Sequence, residues 1–226
     1  MDFSITSPLR ENISSRVQAS IREALMSAHF RPGEKLNIRS MAKMLGTSAT
    51  PIREALAHLA AEGAIEMRPG YSARVPLFSL EKYQELCAIR KAVEGLAAEV
   101  AAKRIVESEV TELHRTLGSF RLACRDLEPV IALDYSRRFR FGVYRAANMP
   151  LLIRTIESLW LQCAPMFRLA PPIEDKQLAE TYERVIAALS ARDSLKARTE
   201  IEKSIDLGYV RLLQHIETAA DAAPAA

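Results

Sequence analysis

Apolar residues recur at helical spacing through most of this chain, but the punctuation between them changes sharply near Pro76. Beyond it, the stretches 81–105, 108–126, 129–147, 150–168, 174–191 and 194–219 each carry an apolar period of three to four residues and predict helices. None of that region alternates apolar and polar residues as a half-buried strand would. Before Pro76 the helical stretches are short and broken by "RPGEKL", "MLGTSATP", "EGA" and "RPGYSARVP". The pattern predicts a mainly α protein in two parts: residues 1–76, a linker at 77–80, a helical bundle at 81–219, and a small-residue tail at 220–226.

The first part resolves into an ordered series. Residues 11–29 predict an amphipathic helix with Ile13, Val17, Ile21, Ala24 and Leu25 on one face. "RPGEKL" predicts a turn and a short extended piece, and "IRSMAKMLG" a short helix stopped by Gly46. Thr47 or Ser48 is placed to cap the next helix, with Pro51 in its first turn and Ile52, Leu56 and Leu59 facing the core. "AIEMRPGYSARVP" predicts two short strands around Arg68-Pro69-Gly70. Helix, helix, tight turn, helix and β-wing make a winged helix-turn-helix, whose third helix enters the major groove by its N-terminal end. Arg53 near that end can reach a base edge or a phosphate, and Arg39 can reach the backbone from the preceding helix.

Charge sharpens this division. The net charge of +3 is modest. Yet residues 1–76 hold ten Lys/Arg against seven Asp/Glu, while the rest holds twenty-one of each. All the excess positive charge therefore lies in the part expected to meet a polyanion. The arginine-rich stretch "LDYSRRFRFGVYRAANMP" lies in the balanced part.

The stretch "LNIRSMAKMLGTSATPIREALAHLAAEGAIEMRPGYSARV" resembles the GntR family of bacterial transcription factors. The resemblance implies DNA contacts at Arg39, Arg53 and the wing turn, with Thr47, Ser48, Thr50, Arg68 and Gly70 in the same interface. Relatives commonly carry arginine just before the "TP", where this chain has Ala49, which implies one base or phosphate contact fewer. The helices that follow resemble the FCD effector domain of the FadR subfamily, through "ELCAIRKAVEGLAAEVAAKRI", "RRFRFGVYRAANMPLL" and "YERVIAALSARDSLKA". That resemblance implies a small carboxylate bound inside the bundle, and in many members a divalent metal held by one Asp and three His.

At the four corresponding positions this chain has Ser136, Arg140, Tyr182 and Ser204. A guanidinium is a fixed cation and repels a metal ion, so no metal or other cofactor is expected. Helical phase gives those positions a common direction. Arg140 falls within the arc of Ala132, Leu133, Ser136, Phe139, Val143 and Ala147. Asp134, Arg137, Arg138 and Arg145 fall on the opposite, solvated side, as does Phe141. Arg90 lies between Tyr83, Ala97 and Ala101, and Tyr182 among Leu178, Ile186 and Leu189. Ser204 lies at the edge of an apolar face.

Two inward arginines need partners, because a buried unpaired charge costs several kcal/mol. One reading is an internal ion pair, such as Arg90–Glu94. The other is a pocket for an anionic ligand built from Arg90, Arg140, Ser136, Tyr182 and Ser204, in which a guanidinium replaces the metal. The first makes the bundle a dimerisation domain only. The second makes the chain a ligand-responsive regulator, a repressor or an activator, binding a double-stranded DNA operator as a homodimer. No nucleophile–base pattern or phosphate loop points to an enzyme. The three cysteines, Cys87, Cys124 and Cys163, read as buried small hydrophobes, and the absence of a membrane-spanning or signal-like apolar run fits the cytoplasm.

Overall fold

A computed structural model describes residues 8–67, 73–172 and 176–221. The chain begins with α1 (Pro8–Met26), a two-residue strand β1 (Lys35–Leu36), α2 (Ile38–Met44), α3 (Ala49–Ala61) and β2 (Ala73–Arg74). Helices α4 (Leu80–Arg104), α5 (Glu107–Arg125), α6 (Pro129–Ala146), α7 (Pro150–Phe167), α8 (Lys176–Ser190) and α9 (Ser194–Asp221) follow. Helix α4 therefore starts on the last residue of the expected linker, and α9 runs two residues into the stretch expected as a tail.

The small N-terminal core forms because α1 and α3 present matching apolar faces. Val17, Ile21 and Leu25 of α1 are buried with Ile52, Leu56 and Leu59 of α3. The three α3 side chains are completely enclosed, a burial that stabilises by about 1.5–3 kcal/mol each. Ile13, expected on this face, is exposed instead. Arg22 of α1 grips Glu62 just past α3 with both carboxylate oxygens, at 2.7 and 2.6 Å.

The turn between α2 and α3 is set by backbone chemistry. Gly46 has φ of +62°, the left-handed geometry that glycine adopts without Cβ strain. It lets Thr47 N–H reach back to Ala42 O at 2.9 Å, closing α2. Helix α2 is capped at its start by Asn37, whose Oδ1 accepts from Ser40 N–H at 3.0 Å. Ser48 takes the capping position of α3, but its hydroxyl makes no cap bond, contrary to the expectation from sequence. The wing also differs in its pairing. Strand β2 pairs antiparallel with β1, Lys35 opposite Arg74, while Glu66 makes a single bridge to Arg74. The earlier "RPGEKL" segment thus supplies the second strand. The expected turn Arg68-Pro69-Gly70 lies outside the described residues.

In the bundle, α4 is the axial helix, with α6, α7, α8 and α9 packed around it. Its buried positions Ala97, Ala98, Ala101 and Ala102 are small and allow close approach, while the larger Tyr83, Arg90 and Glu94 stand earlier along it. Phe120, Phe139 and Tyr182 pack their rings together between α5, α6 and α8. The two parts of the chain touch. Arg137 of α6 pairs with Glu23 of α1 as well as with Asp134 on its own helix. Arg137 is thus not a solvated arginine: its side chain is 14% exposed. Phe141, assigned by phase to the polar side, is also buried, with its ring edge-on to Trp160 at 5.3 Å and to Tyr144 at 5.6 Å. Helix α7 covers that side of α6 and turns it inward.

A Cβ added to Gly46 would meet nothing within 4 Å, so Gly46→Ala tests backbone strain alone. Urea denaturation should show a loss of about 1–2 kcal/mol for this variant, with no change in the far-ultraviolet circular dichroism of the folded protein.

Candidate functional site

Two sites follow from this architecture, one on the surface and one enclosed. On the surface, α3 directs Ile52, Ala55, Leu56 and Leu59 into the core, which turns Thr50 and Arg53 outward on its first two turns. Arg39, second residue of α2, is likewise exposed, and among the described residues neither arginine is held in an ion pair. Thr47 and Ser48 sit in the turn between the two helices. Ser48 stands at the start of α3 with its hydroxyl outside the cap, and the first N–H groups of such a helix suit a phosphate. Arg68 and Gly70 lie outside the described residues.

The enclosed site lies within the bundle, and it brings together all five side chains expected to face a ligand. Arg140 Nε donates to Tyr182 Oη at 2.9 Å, and Tyr182 Oη shares a hydrogen bond with Ser136 Oγ at 2.7 Å. Arg140 Nη2 donates to Ser204 O at 3.0 Å. Ser204 is fully buried rather than marginal, and it contributes its carbonyl, because its hydroxyl already bonds Ile201 O at 2.6 Å. Tyr182 is fixed from behind by Phe139, whose ring stacks on it with centroids 4.2 Å apart.

Both expected readings of the inward arginines meet in Glu94, which is fully buried. Arg90 Nε donates to Glu94 Oε1 at 2.6 Å, and Arg140 Nη1 lies 3.6 Å from Glu94 Oε2. Trp160 Nε1 donates to Oε1 at 3.0 Å and Tyr144 Oη donates to Oε2. The Arg90 guanidinium also lies over the rings of Trp160, at 5.0 Å, and Phe167, at 5.3 Å. The internal ion pair therefore exists, but one carboxylate serves two guanidinium groups. Glu200, a further buried acid, is occupied by Arg184 and Lys203. Arg140 Nη1 has no hydrogen-bond partner among the described residues.

Electrostatics follow the same plan. Burial opposes the charge of Arg140, but the oxygens of Tyr182, Tyr144 and Glu94 outweigh it and raise its pKa. The Tyr144 hydroxyl is pushed well up, first by burial and then by the Glu94 charge, so it remains a donor. A cavity of about 30 Å³ adjoins Arg90, Ser136, Arg140 and Ser204. A larger external cleft, about 670 Å³ between α5 and α8, contains none of these groups.

The metal implied by the family resemblance does not fit here. The four positions do converge, but they present a serine, a guanidinium, a phenol and a serine carbonyl, with the cation in the centre. Sequence reasoning missed Tyr144 and Trp160 as partners of Glu94. Tyr144 stands four residues after Arg140 on one helix, so its inward direction was available from phase. Trp160 is on another helix and gave no such signal.

Replacing Glu94 by glutamine should leave both guanidiniums buried without a counter-charge. We expect a loss of about 3–5 kcal/mol in chemical denaturation, whereas Arg140→Met, which leaves the Arg90–Glu94 pair balanced, should cost much less. The thiols give an independent check of dryness. Burial pushes the Cys163 thiol up to about 12, so it remains protonated at pH 8. Alkylation of Cys163 at pH 8 should be slow in the native protein and fast after denaturation; rapid native labelling would show that water reaches the centre of the bundle.

Two family descriptions match this chain: "Bacterial regulatory proteins, gntR family" over residues 13–75 and "FCD domain" over residues 85–207. Among curated relatives, the HTH-type transcriptional regulator McbR of Escherichia coli strain K12 is 29% identical over 188 residues, covering 80% of this chain and 84% of McbR. The HTH-type transcriptional repressor RspR of the same strain is 28% identical over 149 residues, or 65% of this chain and 64% of RspR. The solved structure of E. coli McbR/YncC superposes with a TM-score of 0.84 at 26% identity, covering 94% of this chain and all of that one. The chain belongs to the GntR family of bacterial transcriptional regulators, with an FCD domain behind its DNA-binding helix-turn-helix.

Proposed function

We propose that this regulator senses a small organic acid in a metal-free pocket centred on Arg140, and that the acid alters its hold on a double-stranded DNA operator. The observation that carries this reading is the uneven pairing in the bundle: two buried guanidiniums share one carboxylate, and Arg140 Nη1 is left without a hydrogen-bond partner. A planar carboxylate supplies what that nitrogen lacks, and an arginine fork binds it with two parallel bonds. No metal takes part, because the guanidinium provides the positive charge. A homodimer in the cytoplasm would place two copies of α3 on the halves of a pseudo-palindrome, and repression by occupancy of the operator is in keeping with RspR, a transcriptional repressor.

A second reading is favoured by the small size of the cavity, about 30 Å³. In it the bundle holds the dimer together and senses nothing, with Glu94 as a permanent counter-ion. A carboxylate screen by thermal shift separates the two. A true effector at a hundred times its Kd should stabilise the wild type by about 2.7 kcal/mol and leave Arg140→Met unmoved. Equal melting temperatures with and without every acid would support the second reading.

The DNA contact is tested separately. On an operator selected from random-sequence DNA by the wild-type protein, Arg53→Ala should lose about 1–3 kcal/mol of discrimination. Arg39→Ala should weaken binding to all sequences alike and lower the salt dependence. Unchanged affinity in Arg53→Ala by gel shift would remove α3 from the interface.

A further inference from the structure

The cavity beside Arg140 is not enclosed by the bundle alone. Met26, the last residue of α1, and Ala28, just beyond it, form part of its wall, opposite Leu133 and Ser204. Both belong to the DNA-reading part of the chain, and both are buried, at 7% and 2% exposure. Three residues before Met26, Glu23 pairs with Arg137, which stands three residues before Arg140 on α6. The end of α1 is thus tied to the helix that carries the anion-binding arginine at the level of the cavity itself. The α1 terminus is also conformationally tight. Ala28 has φ of +52°, a left-handed geometry unfavourable for a residue with a Cβ, and it is held by Ala28 N–H to Leu25 O at 3.0 Å and His29 N–H to Ala24 O at 2.9 Å.

We propose that the effector is a monocarboxylate with an apolar tail, and that the tail is read by Met26 and Ala28 of the DNA-binding domain. The inference rests on the carboxylate site of the preceding section and adds to it the occupant's second half. Arg90 and Arg140 exceed Glu94 by one positive charge, which one carboxylate balances; Arg211, also in the cavity wall, donates to Ala170 O at 2.9 Å. Met26, Ala28, Leu133 and Leu178 supply apolar wall to the same cavity. A cavity of about 30 Å³ holds little more than the head group, so every further methylene must displace the end of α1. Chain length in the ligand then becomes displacement of the helix that packs against α3, and Met26 sets which length is accepted. Methionine suits that place, since an unbranched flexible side chain can shift to admit a tail.

Calorimetric titration of the full chain with straight-chain acids from acetate to octanoate tests this. Wild type, Met26→Ala, Met26→Leu and Arg140→Met are compared, each first shown to be folded by its urea midpoint. Met26→Ala should move the preferred acid to a longer chain, gaining about fourfold in affinity per methylene newly accommodated. Acetate should bind all three Arg140-containing proteins within twofold. Met26→Leu, a near-isosteric change, should give an intermediate profile, and it carries the test if the alanine variant does not fold. Hydrogen exchange at the Ser27–His29 amides should rise with a long acid bound and remain unchanged with acetate. An identical chain-length profile in all Met26 variants, with Arg140-dependent binding intact, would overturn the shared site and leave the carboxylate sensor standing. Failure of every acid to bind the wild type would remove the sensor and this inference together.

Discussion

A single carboxylate, Glu94, faces two arginines inside a helical bundle, and the arrangement of the FCD domain follows from that constraint. Burying one ion costs several kcal/mol even after relaxation, so each charge must be matched by geometry rather than by solvent. Glu94 receives N–H or O–H donors from α4, α6 and α7, through Arg90, Tyr144 and Trp160. Those helices are thereby fixed in register at one level. The small alanines farther along α4 set how closely they approach at the other end. Along α4 a polar knot around Glu94 is followed by a run of small buried alanines.

The contrast with the family's metal-binding pattern has a physical logic. A metal ion collects ligands from several helices and supplies positive charge at their meeting point. Here Arg140 arrives covalently attached to α6 and supplies the same charge through a planar fork. It collects the Tyr182 phenol and the Ser204 carbonyl in place of imidazoles. The substitution trades a symmetric, exchangeable centre for a directional, permanent one. The residues at the four positions differ from a metal set as a group, which is why reading any one of them alone would mislead.

How much of this was legible depended on where the determining contact lay. The helices of the bundle could be read to within a few residues because their apolar stripes repeat locally and two of them open on proline, Pro129 and Pro150. The inward direction of Arg140 and Tyr182 was likewise a property of their own helices. What could not be read required a second element. Phe141 is buried because α7 covers it, and Arg137 is shielded because α1 supplies Glu23. The sharing of Glu94 by two arginines depends on the approach of α4 and α6, and the role of Met26 on the docking of the N-terminal part. Ser48 failed as a side-chain cap, since the preference for serine at such positions is statistical and the hydroxyl is free to turn elsewhere.

The Arg137–Glu23 tie has a consequence for how this regulator answers ionic strength. Glu23 is 59% exposed, so the link is open to screening by salt. Binding to DNA is weakened by salt as well, through release of counterions from the phosphates. When salt rises, this surface tie and the attraction to the duplex weaken together, while the buried contacts of Met26 and Ala28 remain. The slope of affinity against salt concentration therefore contains a contribution from domain loosening. A phosphate count taken from that slope would exceed the number of phosphates the protein touches.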